Sequence, residues 1–413
     1  MKIVTFFAVS CLSVMLLLAG CAGENEALLV WLDNDDWAEQ VIAAFNERYP
    51  DISVEYQNVG SVDTRGKVSL DGPADIGPDV FIMPHDHIGL AILDGIVEPF
   101  PAELRERYRD LLLPAALGTC TLEGELYAAP VSTENIAFFY NRDILAREGA
   151  EVPESFEELK RFAERYNRPQ ENRWALRWTV DDSYTNYFFL TAYGMQLFGP
   201  GMTDFRNPGW DSEAARRGVE FYRSLKAYYD VKVADATYDA TVGAFQRGEV
   251  PFTISGPWAI GDALKNGVNF GVTKLPTIEG RQPRCFSGSI VAAVSSYSRK
   301  MDAAFAFADF LVSLEGERIL YETTGKMAAW QDISAIPGLR DDPYLRGIQE
   351  QAPYADPMPI IPEMAQAWDA QKALFTFTWD GLLSVEQAQA KAMETYDTNL
   401  SVAGKRRFED RPR

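Results

Sequence analysis

The hydrophobic and polar residues of this chain follow two alternating periods. Short apolar runs bounded by glycine, proline or aspartate predict buried strands at 27–32, 52–59, 79–83, 136–140 and 252–254. Apolar residues three or four positions apart predict helices at 35–49, 90–93, 155–166, 185–198, 213–229, 303–314, 363–375 and 385–400. Strands and helices in alternation are typical of open α/β sheets with crossover helices, so we predict an α/β fold.

The first residues have the layout of a secretory signal peptide. Lys2 precedes an apolar run at 3–18, and small residues lead to a cysteine in Leu17-Leu18-Ala19-Gly20-Cys21. This ending resembles a bacterial lipobox, in which the cysteine is acylated and becomes the first residue. An uncleaved anchor is the alternative, but the run is shorter than the roughly 18–20 apolar residues of a membrane span. We therefore predict a lipoprotein signal peptide at 1–20 and an extracytoplasmic protein that Cys21 tethers to a membrane.

Composition restricts the partners of the protein. A chain of 413 residues is too long for one ordinary core and suggests two or three domains. A formal net charge of −21 argues against nucleic acid and against adsorption to anionic lipid headgroups. The basic and polar end at 404–413 is predicted to be a solvated tail.

The cysteines and histidines do not indicate a metal or cofactor. Cys120 and Cys285 lie far apart in sequence, outside any C-x-x-C pattern, so a disulfide and two buried thiols both stay open. His85 and His87 flank Asp86, but no second cluster of histidine or cysteine would complete a metal site. We predict no metal site and no cofactor.

Polar clusters follow three of the predicted strands, where ligand sites of open α/β sheets gather. They lie at 33–37, 84–87 and 255–258, and further acids and aromatics occur at Glu134, 181–184 and 368–369. Taken singly, each aromatic residue could belong to the core and each acid could cap a helix. Together they suit a neutral polyhydroxyl ligand, because carboxylates accept hydroxyl hydrogens and aromatic faces cover the C–H face of a sugar.

Several phrases, in this order, resemble the maltose/maltodextrin-binding branch of the extracellular solute-binding proteins of bacterial ABC sugar importers. They are LVWL at 29–32, GPDVF at 77–81 leading to His85-Asp86, YAAP at 127–130 leading to YNRD at 140–143, AFQRGE at 244–249 through SGPW at 255–258 to GVTKLPT at 271–277, and MP at 358–359 with IPEM at 361–364. The resemblance covers most of the chain after residue 20.

The resemblance implies the two-lobe periplasmic-binding-protein fold of type II. Each lobe would be a mixed β-sheet flanked by helices and discontinuous in sequence, and a hinge would join the lobes. The first lobe would comprise 21–132 and 288–337, and the second 133–287 and 338–403. Cys120 and Cys285 would fall near the hinge crossings, which makes the disulfide more plausible.

The resemblance also implies a sugar site in the cleft between the lobes. The predicted ligand residues are Asp35, Asp36, Asp86, His87, Glu134, Asp182, Tyr184, Trp258 and Trp368. Four positions depart from the family. Asp36 stands where a lysine is common, His87 replaces an arginine, Met83 replaces a tryptophan and Asp369 replaces a tyrosine.

The sequence therefore predicts a monomeric, lipid-anchored receptor that binds a sugar, passes it to ABC permease subunits and catalyses nothing. A maltodextrin or another α-glucoside is the expected ligand. The alternatives are a different oligosaccharide or a non-sugar solute, a partner of a chemoreceptor, and a secreted glycoside hydrolase, which also needs two carboxylates and aromatic subsites.

Overall fold

The computed structural model describes residues 26–409, with side-chain surroundings up to residue 404. The strands are β1 (Leu28–Leu32), β2 (Val54–Asn58), β3 (Val80–Pro84), β4 (Thr121–Leu122), β5 (Glu125–Leu126), β6 (Ala129–Asn135), β7 (Ala137–Asn141), β8 (Phe252–Ser255), β9 (Phe270–Thr273), β10 (Cys285–Val294), β11 (Met327–Ala328) and β12 (Ala355–Pro357).

The helices alternate with these strands in the first two thirds of the chain and dominate the last third. They are α1 (Asp35–Arg48), α2 (Ser61–Asp71), α3 (Ile88–Leu93), α4 (Ala102–Leu111), α5 (Pro114–Gly118), α6 (Arg142–Glu148), α7 (Phe156–Tyr166), α8 (Ser183–Thr191), α9 (Glu213–Ser224), α10 (Ala244–Gln246), α11 (Ile260–Lys265), α12 (Met301–Leu311), α13 (Leu314–Thr324), α14 (Arg346–Gln351), α15 (Met364–Trp379) and α16 (Val385–Glu409).

The first lobe is built on a mixed sheet. Its strands run in the order β11-β6-β10-β3-β1-β2, and β12 pairs with β10 beside this path. β1 is parallel to both β2 and β3, whereas β10 is antiparallel to β3 and β6. Apolar residues of β1 and β3 and of helices α1 and α12 form one buried core beneath it. The continuous apolar runs of β1 and β3 arise because both faces of these strands are covered.

The second lobe has a smaller antiparallel sheet in the order β8-β7-β9. One core on its side of the molecule joins α7, α8, α9, α15 and α16 with β7 and β8, and a further core joins β7, β9, α11 and α14. The first of these cores is rich in packed aromatic rings, such as Tyr187 on Phe286 at 3.7 Å between centroids. The two lobes therefore have separate cores.

Two long strands, β6 and β10, pass from one lobe to the other. Gly288 pairs with Glu134 near the crossing. On one side of it Val131 and Val291 lie in the first core, and on the other side Ile136 and Phe286 lie in the second. Because the chain crosses more than once, each lobe is discontinuous in sequence. The predicted two-lobe α/β fold is confirmed.

The exact lobe boundaries stay a prediction. Ala328 and Ile336, which lie in the predicted first lobe, pack with Ala137, Phe139 and Ile260 in the core beside the second sheet. Ala328 reaches that core from β11, at the edge of the first sheet beside β6.

Helix ends are set by caps that the apolar period does not show. The helix predicted at 185–198 begins and ends earlier, because Asp182 caps its start and the chain turns at Gly194, whose φ is +92°. The helix predicted at 213–229 ends at Ser224. The helix predicted at 303–314 is two helices, since Ser313 Oγ accepts the Gly316 N–H at 3.1 Å and starts α13.

One observation adds to the predictions for the chain and another corrects them. Residues 404–409, which lie in the predicted polar tail, continue helix α16. The disulfide left open by the sequence does not form, because Cys120 and Cys285 are free thiols buried in the cores of different lobes.

The signal peptide and Cys21 lie outside the described residues. Within residues 26–409, no helix combines the length and the apolar character that crossing a bilayer requires. In the same part of the chain, no three histidine, cysteine or acidic side chains form a group suited to a metal ion.

Candidate functional site

A cavity of about 650 Å³ lies between the lobes, at the ends of β1 and β3 and beside the crossing strands. Its lining includes most of the predicted ligand residues, namely Asp86, His87, Glu134, Asp182, Tyr184, Trp258 and Trp368. Asp33, Asp181, Lys326, Lys372, Met358 and Asp369 also line it. A cavity of this size is in the usual range for small-molecule sites, about 300–1,000 Å³.

The first lobe supplies carboxylates from the ends of two neighbouring strands. Asp33 directly follows β1, and Asp86 lies in a turn of 3-10 helix after β3. Asp86 is buried, and its Oδ2 accepts a hydrogen bond of 3.0 Å from Trp368 Nε1 on α15 of the second lobe. This bond spans the cleft and leaves the other oxygen of Asp86 for a further donor.

His85 fixes this turn to the crossing strand. It is fully buried, and its Nδ1 accepts the backbone N–H of Ser289 at 3.0 Å. Nε2 must then carry the proton, which it donates to the Met358 carbonyl at 3.1 Å. Burial lowers the pKa of His85, in keeping with this neutral form. His85 is therefore a structural residue that holds Asp86 in place.

His87 lines the cleft with one nitrogen unused. Among the described residues, no hydrogen-bond partner faces its buried Nδ1. Burial lowers the pKa of His87. The Asp86 carboxylate opposes this effect, but the net shift of the His87 pKa is downward. The unpartnered Nδ1 of a neutral imidazole offers a ligand one donor or one acceptor, depending on the tautomer, where an arginine would offer several donors.

An acidic pair and a lysine form the floor of the cleft. Lys326 Nζ lies 3.6 Å from Asp33 Oδ2 and 3.6 Å from Glu134 Oε1. Burial raises the pKa of Glu134 and Lys326 lowers it. The nearby Asp33 adds to the effect of burial, so the net shift of the Glu134 pKa is upward. Burial alone would lower the pKa of Lys326, but the two carboxylates more than offset it, so that pKa is raised. We call these three residues the floor triad.

The second lobe supplies three aromatic rings. The ring centroid of Tyr184, on α8, lies 6.1 Å from the ring centroid of Trp258. The third ring, Trp368, lies on α15. A Cβ on Gly256 would come within 2.1 Å of the Trp258 ring, so glycine at this position lets the ring lie against the backbone. The Tyr184 hydroxyl is 3.5 Å from the Glu134 carbonyl, which brings this ring beside the floor triad. The rings thus form an apolar wall opposite the carboxylates.

A second acid pair edges this wall. Asp182 Oδ1 accepts the Thr185 N–H at 2.6 Å and so caps α8. The neighbouring Asp181 forms an ion pair with Lys372 Nζ at 3.3 Å. Burial raises the pKa of Asp182, while the bonds from Thr185 act in the opposite direction. Asp182 was predicted as a sugar ligand, and the structure gives it a capping role as well as a place in the lining.

Two predicted ligand residues lie outside the cavity. Asp35 is exposed and accepts hydrogen bonds from Tyr56 at 2.7 Å and Asn58 at 2.6 Å, both on β2. Asp36 is exposed and pairs with Lys265 Nζ at 3.0 Å. The physical reason is that Asn34 caps α1 through its bond from the Trp37 N–H, so residues 35 and 36 already belong to the first helical turn.

The acid of the first cluster that lines the cavity is therefore Asp33, and not Asp35 or Asp36. Asp33 has the signal that could have identified it, since it is the first residue beyond a buried parallel strand and such positions lie at the ligand edge of the sheet. Lys326 has no comparable signal, because only the crossing of the chain brings it to residues 33 and 134.

Comparison with known proteins shows which family the chain belongs to. The sequence profile of the bacterial extracellular solute-binding proteins matches residues 32–318, from the end of β1 into α13. The chain belongs to this family.

The chain is also similar to several individual proteins. A galactooligosaccharide-binding protein of Bacillus subtilis (strain 168) is 26% identical over 405 residues, which cover 93% of this chain and 94% of the relative. A maltooligosaccharide ABC transporter solute-binding lipoprotein of Streptococcus pneumoniae (strain ATCC BAA-255 / R6) is 25% identical over 370 residues, 85% of this chain and 83% of the relative. The crystal structure of a cyclo/maltodextrin-binding protein in complex with maltotetraose superposes with a TM-score of 0.76 at 28% identity, covering 92% of this chain and 98% of that one.

Proposed function

We propose that this protein is an extracytoplasmic receptor that captures a neutral oligosaccharide between its lobes and delivers it to an ABC importer. The observation that carries the proposal is the pairing of two unlike walls across one cavity. Carboxylates of the first lobe and the hinge face three aromatic rings of the second lobe. A pyranose matches both walls, since its hydroxyls bind carboxylates and its C–H face packs on aromatic rings.

A maltooligosaccharide is the ligand we favour. The maltotetraose complex of the similar cyclo/maltodextrin-binding protein and the name of the Streptococcus relative support an α-glucoside. The name of the Bacillus relative makes a galactooligosaccharide the second candidate. The ligand residues proposed are Asp33, Asp86, His87, Glu134, Asp182, Tyr184, Trp258 and Trp368.

The mechanism we propose is closure about the crossing strands. A sugar that contacts both walls binds the closed arrangement better than the open one, so it shifts the population towards closure by its differential affinity. The closed form would be the one that the permease recognises. No chemical step is involved, and the carboxylates act as acceptors held by Lys326, Trp368 and Thr185.

Calorimetric titration of the soluble protein, beginning at Ala22, tests this proposal. Maltose, maltotriose, maltotetraose, a galactooligosaccharide, trehalose, cellobiose and xylobiose form the panel. We expect one class to bind at one site with micromolar affinity or better. A folded protein that binds none of these sugars would contradict the proposed function. Chromatography of the bound sugar after long incubation tests for hydrolysis, and any product would contradict a pure receptor.

We further propose that Cys21 carries the lipid anchor and that the protein acts as a monomer. The lipobox-like ending at 17–21 and the name of the Streptococcus relative support the anchor. The full chain expressed in a bacterium should partition into a detergent phase, and the Cys21→Ser variant should partition into water. Partition of both variants into the same phase would contradict lipid anchoring, and light scattering of the soluble protein measures its mass.

A further inference from the structure

The floor triad is the part of the cleft that carries an inference beyond capture of a sugar. Its three side chains come from three separate places, namely Asp33 after β1, Glu134 on β6 and Lys326 just before β11. Their side chains are 18%, 11% and 12% exposed, and all three line the cavity. The triad is therefore a nearly buried ionic group with one side open to the ligand.

We propose that the floor triad determines the specificity of the cleft: Lys326 and its two carboxylates together bind a neutral hydroxyl, and the carboxylates exclude an anionic group. This inference rests on the proposed sugar-binding function and names the chemical class of ligand for that same site.

The distances support a hydroxyl at this position. Both ion pairs measure 3.6 Å, which exceeds the roughly 2.7–3.2 Å of a direct N–H···O hydrogen bond. Polar groups at such a separation commonly have a third group between them. A sugar hydroxyl fits because it accepts one hydrogen from the ammonium and donates its own to a carboxylate.

The charges argue against an anion. The triad holds two carboxylates for one ammonium, and the whole lining has six carboxylates for two lysines, counted over the described residues. A ligand carboxylate or phosphate placed here would meet like charges within a few ångströms in a partly desolvated site. A uronic acid or a sugar phosphate is therefore excluded, while a neutral sugar is accepted.

Lys326 also favours the ionised form of Glu134. The titratable groups facing Glu134 are Asp33, Lys326 and the Tyr184 hydroxyl on α8, while its neighbour on β10 is Gly288. Without the ammonium, only the hydrogen bond from Ser132 would oppose burial and Asp33, so Glu134 would hold a proton at higher pH. A protonated carboxyl is the weaker acceptor for a sugar hydroxyl.

The test is the pH dependence of sugar affinity in Lys326→Met, with Lys326→Arg as the conservative variant. Lys372→Met is the matched control, because this second lining lysine pairs with Asp181 but lies outside the triad. The tightest-binding sugar of the panel is titrated from about pH 5 to about pH 8, in buffers of different ionisation enthalpy.

We expect wild type, Lys326→Arg and Lys372→Met to bind with nearly constant affinity over this range. Lys326→Met should bind about tenfold more weakly at the acid end, regain affinity as the pH rises, and release a proton on binding. An unchanged affinity, or a uniform loss without proton release, would overturn the proposal and leave Lys326 a purely structural residue.

A second arm tests anion exclusion directly. Wild type is titrated with the same sugar oxidised at its terminal C6 to a uronic acid. We expect at least about a tenfold loss of affinity, and equal affinity would overturn the proposed selectivity.

Failure of the proposed function is distinguishable from failure of this inference. Wild type that binds no sugar of the panel contradicts the function, and the thermal unfolding of the variants then reports on the triad alone. Without ligand, Lys326→Met should lose stability relative to Lys326→Arg as the pH rises, because Glu134 then ionises without a counter-ion. Parallel unfolding profiles would show that the lysine does not control the ionisation of Glu134.

Discussion

The two walls of the cleft differ in chemistry and in how they are built. The first-lobe wall is made of charged groups at strand ends, fixed by hydrogen bonds such as those of His85 to Ser289 and Met358. The second-lobe wall is formed mainly by aromatic rings on helices and turns, which pack against the aromatic core, and acids such as Asp181 and Asp182 lie at its edge. The first-lobe wall therefore orients a ligand through hydrogen bonds, and the second-lobe wall supplies contact area. Neither wall alone is a sugar site.

The largest effect should come from removing a ring of the aromatic wall. Burying an aromatic side chain contributes about 1.5–3 kcal/mol, so Trp258→Ala should weaken sugar binding by roughly 10- to 150-fold. Trp258→Phe, which keeps a smaller ring, should lose less. Titration calorimetry measures both affinities, and a Trp258→Ala variant with wild-type affinity would remove this ring from the site.

A matched pair of substitutions on the other wall should separate Asp33 from Asp35. Asp33→Asn loses a charged acceptor in the cavity and a partner of Lys326, so affinity should fall about tenfold. Asp35→Asn should bind as wild type, because Tyr56 and Asn58 already hold that carboxylate outside the cavity. The reverse ranking in the same titration would restore Asp35 as the ligand residue and contradict the geometry described above.

A smaller effect should come from the rim, where the walls meet through Asp36 on α1 and Lys265 on α11. Both side chains are more than half exposed, so the pair contributes little and salt screens it. Asp36→Lys places two like charges across the cleft and should lower sugar affinity a few-fold at low salt. The difference from wild type should vanish at high salt, and a loss that salt does not relieve would show that Asp36 itself binds the sugar.

The smallest effect on binding should come from an acid of the first lobe that lies away from the cleft. Glu317 on α13 is fully buried, which raises the pKa of its carboxyl well above the ordinary value, against an opposing effect of the Ala329 backbone. The folded protein then holds a proton that the unfolded chain releases, so the free energy of unfolding falls as the pH rises above the ordinary carboxyl pKa.

Glu317→Gln has no proton to lose and should unfold at a higher temperature than wild type at neutral pH. This advantage should shrink as the pH falls to about 4. Sugar affinity should not change, because Glu317 is remote from the lining. Equal melting temperatures at all pH values would show that Glu317 ionises without cost.

The sequence predicted the fold well and the charged wall less well. Strand and helix alternation follows from local apolar periods, so the strands at β1, β3, β7 and β8 were placed within one or two residues. The crossing strands were harder, because the polar residues of β6 and β10 near the hinge interrupt the apolar pattern. The resemblance to the family, rather than any period, supplied the crossing.

All three rings of the aromatic wall were predicted to be in the site, but the acidic wall was predicted only in part, at Asp86 and Glu134. Tyr184, Trp258 and Trp368 lie in clusters of acids and aromatics that the sequence marks, and all three line the cavity. Choosing among Asp33, Asp35 and Asp36 required knowing that Asn34 caps α1, a hydrogen bond that depends on where the strand ends. Lys326 reaches the triad through tertiary packing alone, which no local pattern reveals.

A crystal structure of the protein with the tightest-binding sugar of the panel tests the central claim most directly. The account predicts one sugar ring packed on Trp258 and its hydroxyls at the carboxylates of Asp33 and Glu134, so that both walls contact the same ligand. A sugar bound to one wall only, or outside the cavity, would contradict the account.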